Sequence, residues 1–423
     1  MDQNSPEQKE QPEIPDSNPG LRAYISKPVA IAVLTVAAAA SICLIIALLV
    51  SGSPESSASI DPVEAEQTVT EQASTRPIPL YEEPMEGDLD DLVKRIDLSL
   101  INTLKAAKIS MSELRLEDVS LKKHQGRDYH FQQLSFPVSG DKKLFLSNVQ
   151  KGLESTALNA SLHEIAADSW MISINGVPTH KFSIFTPAVI KTKPAPVKLD
   201  PNAPKLAIVI DDMGEDVRLA KGLAALDAKI TFSIWPSSSH VKKTIDIAKK
   251  SGNEIMVHLP MQPKGYPKVN PGADALLVGM NADKISQITL AAISKVPGAT
   301  GLNNHMGSSF TENYNGMVVV LKQLHKKQLF FLDSRTTPKS AGRRAASKAG
   351  VTFYERNIFL DNVKDIGAIK YQLSKAAKIA RKRGQAIAIG HPNHETLKAI
   401  RQWVAENKGK IRIVPVSSLR PKG

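Results

Sequence analysis

The feature that most constrains this chain is a rhythm in its second half. From Lys205 onward, strand-like stretches follow one another: KLAIVIDD, KITFSIW, NEIMVHLP, TGLNNHM, LFFLDSRT, VTFYERNIFLD, AIAIGHP and RIVPVSSL. Helical text such as DVRLAKGLAAL, SHVKKTIDIAKKSG and NADKISQITLAAISKV separates many of them. Strands joined through helices run parallel, because the return crossing needs a helix to span the sheet. Seven or eight such strands over about 220 residues predict a (β/α) barrel, a fold in which function gathers where the strands end.

Those ends carry polar groups. Asp211 and Asp212 close the first strand, Trp235 the second, His258 the third, His305 the fourth and Asp333 the fifth. Asp361 follows on the next, and His391 on the last but one. A cation held by one carboxylate and two imidazoles, with positions left open, is the pattern of a catalytic metal site. Water acidified by such a cation attacks an ester or amide carbonyl. One carboxylate of an adjacent pair can hold the metal while its neighbour takes a proton, and a histidine across the site can protonate the leaving amine. The set therefore predicts metal-assisted hydrolysis.

The blocks IDDMG (210–214), ITFSIWP (230–236), EIMVHLPMQP (254–263), GLNNHMGSSFT (301–311), FFLDSRT (330–336), RNIFLDN (356–362) and AIAIGHPNHET (386–396) resemble, in order, the divergent polysaccharide deacetylase family. That family is an offshoot of the NodB-type carbohydrate esterases, and the resemblance covers about residues 203 to 421. It implies a distorted (β/α) barrel of the polysaccharide deacetylase type, usually described with seven strands, and a divalent metal, usually Zn2+. It also implies roles: Asp211 as general base, Asp212 and His258 as metal ligands, and His391 as the acid. Mainstream deacetylases place a second ligand histidine shortly after the first, whereas here the position four after His258 is Gln262. Their Arg-Pro-Pro block is replaced by Asn303-Asn304-His305-Met306-Gly307. His305, at the next strand end, is the candidate for the missing ligand.

Other residues at these ends are expected to support the site. Asp333 and Arg335 orient a catalytic group or form a buried ion pair. Asn303 and Asn304 bond substrate or cap a loop. Asp361 backs a catalytic group or shapes the turn before Asn362. Trp235 stacks on a sugar ring or packs.

The first half reads differently. Val29–Val50 is uncharged and long enough to cross a bilayer, too long for a cleaved signal. Arg22 and Lys27 precede it, and no Lys or Arg follows until Arg76. The positive-inside rule makes it a single-pass signal anchor in the inner membrane, with residues 1–28 cytoplasmic and the rest periplasmic or extracytoplasmic. The only cysteine, Cys43, lies within this run, so the exported part folds without an internal disulfide. Residues 51–84 are Ser-, Glu- and Pro-rich and are expected to be a flexible linker. Residues 85–186 alternate helix and strand signals and predict a small α+β domain without a catalytic motif. Residues 187–204, rich in Pro and Lys, mark a boundary before the deacetylase domain at 205–421.

Charge separates the halves. From Pro201 onward there are 35 Lys and Arg against 16 Asp and Glu, a balance of +19 within a chain total of +12. A basic surface outside the membrane suits anionic phospholipid or acidic envelope polymers. No helix-turn-helix or RNA-binding signature is present, so nucleic acid is not an expected partner. Two function classes remain. One is a membrane-anchored, metal-dependent deacetylase acting on N-acetylated amino sugars of an envelope glycan. The other is a catalytically inactive module that binds such a glycan or an envelope protein.

Overall fold

The computed structural model describes residues 89–156, 159–185, 203–272 and 274–422. The expected membrane span at 29–50 and most of both linkers lie outside these residues. Among the described residues no helix is long and apolar enough to cross a membrane.

The first domain runs α1 (Leu89–Ala106), β1 (Arg115–His124), β2 (Arg127–Pro137), α2 (Lys142–Thr156), β3 (Ala160–Ala166), β4 (Ser169–Ile174) and β5 (Val177–Phe185). Its sheet has the order β1-β2-β5-β4-β3, with β2 and β5 parallel and the other pairs antiparallel. The stretch KLFLSNVQKGLESTALNASL, residues 143–162, reads as one helix in the sequence, but the helix ends at Thr156 and Ala160–Ala166 is an edge strand against β4. The cause is visible in Asn159, whose left-handed backbone (φ +65°) reverses the chain.

The second domain continues with β6 (Lys205–Met213), α3 (Val217–Ala224), β7 (Thr231–Ile234), α4 (Val241–Ser251), β8 (Glu254–Met261), α5 (Ala282–Lys295) and β9 (Gly301–Met306). After these come α6 (Tyr314–Lys326), β10 (Phe330–Asp333), α7 (Gly342–Ala349), β11 (Phe353–Glu355), β12 (Ile358–Phe359), α8 (Ile366–Arg383), β13 (Gln385–Gly390), α9 (His394–Glu406) and β14 (Arg412–Ile413). The strands form a curled parallel sheet in the order β11-β10-β9-β8-β7-β6-β13-β12, with β14 against the start of β6. The stretch VTFYERNIFLD, expected as one strand, is two short ones at the opposite edges of this sheet. Arg356 and Asn357 span the gap, so the barrel is not closed by backbone pairing there.

Burial follows from the double-sided packing of a parallel sheet. Leu206, Ile208 and Ile210 of β6 pack outward into the core shared with the helices. The alternate residues Ala207 and Val209 face the interior with Met256, Leu332 and Ile389. Every residue of β8 is buried. Asp216, Asn281, Asn313, Asp365 and Asn393 cap the helices that follow strand ends, each accepting backbone N–H groups.

The two domains share packing and belong to one compact unit, Thr75–Gly423. Val119 of β1 joins the core of the curled sheet, while Ala368 and Tyr371 of α8 join the core of the first domain. At the seam, Asp97 of α1 accepts from Lys375 Nζ at 2.8 Å, from Gln132 Nε2 at 2.6 Å and from His180 Nε2 at 2.9 Å. The Tyr371 hydroxyl donates to Gln132 Oε1 at 2.6 Å. All five residues are buried. A charged group removed from water is tolerated only when its partners are all in place, so this network specifies one docking position.

Candidate metal centre and its acid and base

Two adjacent residues of a regular strand point to opposite faces, so Asp211 and Asp212 need a local irregularity to serve one site. The structure supplies it. Pairing of β6 with β7 jumps from Ile210↔Phe232 to Met213↔Ile234, a bulge of one extra residue, and Asp212 takes a left-handed backbone (φ +52°). A non-glycine residue held there stores strain of about 1–3 kcal/mol, of the kind that clusters at functional sites. Gly214 then turns away at φ +127°, where an added Cβ would strike the Ser238 side chain.

Register sets the histidines. His258 of β8 lies opposite Asn303 of β9, and Pro260 opposite His305. Asn303 and His305 are two apart and share a face. The result is a triangle of ligand atoms. His258 Nε2 is 3.1 Å from His305 Nδ1 and 3.1 Å from Asp212 Oδ1, and His305 Nδ1 is 2.9 Å from the same oxygen. Ligands at 2.0–2.1 Å in a tetrahedron stand about 3.3 Å apart, so this triangle has the size of one face of a coordination shell.

Asp212 Oδ1 adds a second observation. By distance it pairs with both rings, yet neither contact has hydrogen-bond angles, and this buried oxygen has no hydrogen-bond partner. Burial pushes the Asp212 carboxyl up, but His258 and His305 pull it well below the carboxylate range. The donor set, one carboxylate and two imidazole nitrogens, fits a zinc-type cation. Gln262 is excluded from it. Its backbone holds Leu276, Ser309 and Phe310, and its Oε1 accepts from Val278 N–H at 2.8 Å, so it staples the loop that follows β8.

Asn303 is the hub beneath the triangle. Its Oδ1 accepts from Ser233 Oγ at 2.6 Å and lies 2.8 Å from His258 Nδ1, while its Nδ2 donates to Asp211 Oδ1 at 2.8 Å and to Ser334 Oγ at 3.1 Å. That exhausts the bonding capacity of the amide. The backing fixes which nitrogen of His258 faces the triangle. Burial lowers the His258 pKa, but the charges of Asp211 and Asp212 outweigh it and raise it to about 9. Asp211 is buried and its pKa is raised by that burial, against the opposing pull of His258, His391 and Asn303.

His391 follows the end of β13. Its Nδ1 lies 2.9 Å from Asp361 Oδ1, and its backbone N–H donates to Asp361 Oδ2 at 2.6 Å. Thr396 and Asn393 donate to the same carboxylate. Burial lowers the His391 pKa, but Asp361 beside it leads a net rise, so the ring holds a proton more readily than a free imidazole. Asp361 therefore orients a catalytic candidate rather than serving only as a turn residue.

Other expected residues are placed differently. Asn304 is turned into the loop, donating to Met306 O at 2.7 Å and accepting from Ser334 N–H. Asp333 accepts from the Arg335 backbone and from Ser340 Oγ, while the Arg335 guanidinium lies 3.7 Å from Glu355, so the two side chains form no buried ion pair. Trp235 lies against His305, ring centroids 4.6 Å apart, with Gly272 close on its other edge. Ser233, Ser334 and Thr396 were missed by sequence reasoning, since a lone hydroxyl carries no spacing signal.

Residues 208–420 match the model of the family described as divergent polysaccharide deacetylase. The chain belongs to that family. It is 37% identical over 217 residues to the Escherichia coli (strain K12) protein YibQ, covering 51% of this chain and 67% of that one. A Haemophilus influenzae protein is 36% identical over 215 residues, covering 51% of this chain and 76% of its own length. Among solved structures, protein ATU2773 of Agrobacterium tumefaciens C58 is 28% identical with a TM-score of 0.50, covering 52% of this chain and 89% of that chain. The matches to the two curated relatives each cover about half of the chain, the same share as the family region.

Proposed function

We propose that this protein is a membrane-anchored, metal-dependent deacetylase that removes acetyl groups from N-acetylated amino sugars of an envelope glycan. The observation that carries the reading is the triangle of Asp212, His258 and His305, with its buried, unsatisfied carboxylate oxygen. A divalent cation held there supplies Lewis acidity, polarising the amide carbonyl and acidifying water. The remaining steps belong to this chain. Asp211, held by Asn303, accepts the proton from the attacking water. His391, held by Asp361, donates a proton to the departing amine nitrogen. Asn303 keeps Asp211 and His258 in register through both steps.

The second reading, an inactive module that binds glycan or an envelope partner, draws on the substitution at Gln262. The position of His305 answers that objection, because it supplies a third donor from the next strand. The test is acetate release from N-acetylglucosamine oligosaccharides by the full chain loaded with zinc. Release that disappears in Asp211→Asn and falls in His391→Ala supports the enzyme. Stoichiometric metal with no acetate release from any N-acetylated glycan supports the binder.

A further inference from the structure

We propose that the face of the curled sheet opposite the metal centre is a docking surface for anionic phospholipid headgroups, which turns the catalytic rim away from the membrane. This inference does not need the deacetylase activity, but it rests on the reading of Val29–Val50 as a membrane anchor.

The start of β6 is the centre of that face. Lys205 pairs with Arg412 of β14 and with Gln385 of β13, and Asp212 lies seven residues further on, about 23 Å along the strand. A groove opens beside each pairing. One, of about 510 Å³, is lined by Lys229, Lys408 and Arg412 over an apolar floor that includes Ile411 and Val414, with Asp227 as its single acid. The other, of about 350 Å³, runs from the Gln385 pairing along the open edge between β11 and β13 and is lined by Arg383, Arg420 and Lys422, with Glu355, level with the strand end at Asp333, as its single acid. Each has three cations to one carboxylate. Asp227 is bound by Lys408 at 2.7 Å, and Glu355 by Lys422 at 2.5 Å and Arg343 at 2.8 Å.

Basic residues near helix C-termini often do no more than offset the helix dipole, which accounts for Lys249 and Lys250 of α4 and for Arg383 of α8. It accounts as well for Lys229, whose Nζ donates to the carbonyl of Ser251 at the end of α4 at 2.8 Å, but not for Arg412, Arg420 or Lys422, none of which lies in a helix. Cations around grooves with an apolar floor match a headgroup layer, where phosphate sits beside the first methylenes. The apolar run Val29–Val50 belongs to the same chain, so a bilayer is the anionic surface that the sequence expects within reach.

The test uses the full chain in nanodiscs of neutral lipid or of neutral lipid with phosphatidylglycerol, read by hydrogen exchange. Segments 226–230, 404–414 and 419–422 are expected to exchange several-fold more slowly in the anionic discs only, with protection lost at high salt. Each neutralised cation weakens docking roughly fivefold, so Lys229→Gln/Lys408→Gln/Arg412→Gln lowers it on the order of 100-fold and abolishes the protection. Neutralising Arg218, Lys268 and Lys339, which follow strand ends, is expected to leave it intact. Equal exchange in both discs, protection of the rim instead, or an unchanged result in the triple variant would overturn the proposal. Protection that appears in neutral discs only on adding a soluble acidic polysaccharide would overturn it in favour of a glycan surface.

Discussion

Asp97→Asn removes the negative charge from the seam between the domains while keeping its volume. The carboxylate it replaces is buried, and so is Lys375, its partner at 2.8 Å. Burial pushes the Asp97 pKa up, but Lys375 and His180 pull it down further, from 3.8 to about 2. At about 1.36 kcal/mol per unit, that depression contributes about 2 kcal/mol of stability. Leaving the Lys375 ammonium buried without its counter-charge sets the upper figure at about 5 kcal/mol. Asp97→Asn is therefore expected to lose about 2–5 kcal/mol at pH 7. Lys375→Met loses less, because Gln132 and His180 still donate to the remaining carboxylate. The sign with pH follows from a folded pKa below the unfolded one. The advantage of wild type over Asp97→Asn is fully present above about pH 4 and shrinks as pH falls toward 2. Urea unfolding of the full chain in mild detergent measures this, with Trp170 in the first domain and Trp403 in the second as probes. A loss under about 1 kcal/mol at pH 7, or a difference that grows on acidification, would refute the reasoning.

Three further outcomes are expected. Zinc must displace a proton from His258, whose pKa is about 9, while Asp212 is already ionised, so zinc affinity rises about tenfold per pH unit from pH 6 to 8. Competition against a fluorescent chelator measures it, and a flat profile would contradict the assignment. Asn303→Leu deletes all four bonds of the hub and is expected to lower zinc affinity 10- to 100-fold, read by the same competition; unchanged affinity would show that His258 is oriented by packing alone. Asp361→Asn leaves zinc content unchanged but lowers acetate release by about 10²-fold or more, with an altered pH profile, because His391 loses the carboxylate that raises its pKa. Loss of zinc in this variant would place Asp361 in the metal centre instead.

The alternation that predicts the parallel sheet, and the fall of Asp211, Asp212, His258, His305 and His391 at strand ends, are periodic properties and are legible in the sequence. What escapes is set by single residues or by distant ones. The bulge at Ile210–Met213 and the left-handed Asp212 leave no composition signal, yet they aim both carboxylates into one site. Val119 and Tyr371 of the domain seam look like ordinary strand and helix residues. Asp97 and Lys375 are 278 positions apart, so no local pattern announces their pairing. The start of the edge strand, Ala160–Leu162, reads as helix because it continues a helical stretch and both Ala160 and Leu162 are good helix formers. Gln262 is the reverse case. Its identity announced a missing ligand, and the structure gives the reason it is there, as the staple of the loop after β8.

The central claim is tested most directly by elemental analysis of the full chain purified in detergent under zinc-replete conditions, for wild type, Asp212→Ala and His305→Ala. The account predicts close to one zinc per wild-type chain and a loss of zinc in both variants, with melting behaviour showing that they remain folded. Zinc at background in wild type, or full zinc content in His305→Ala, would contradict it.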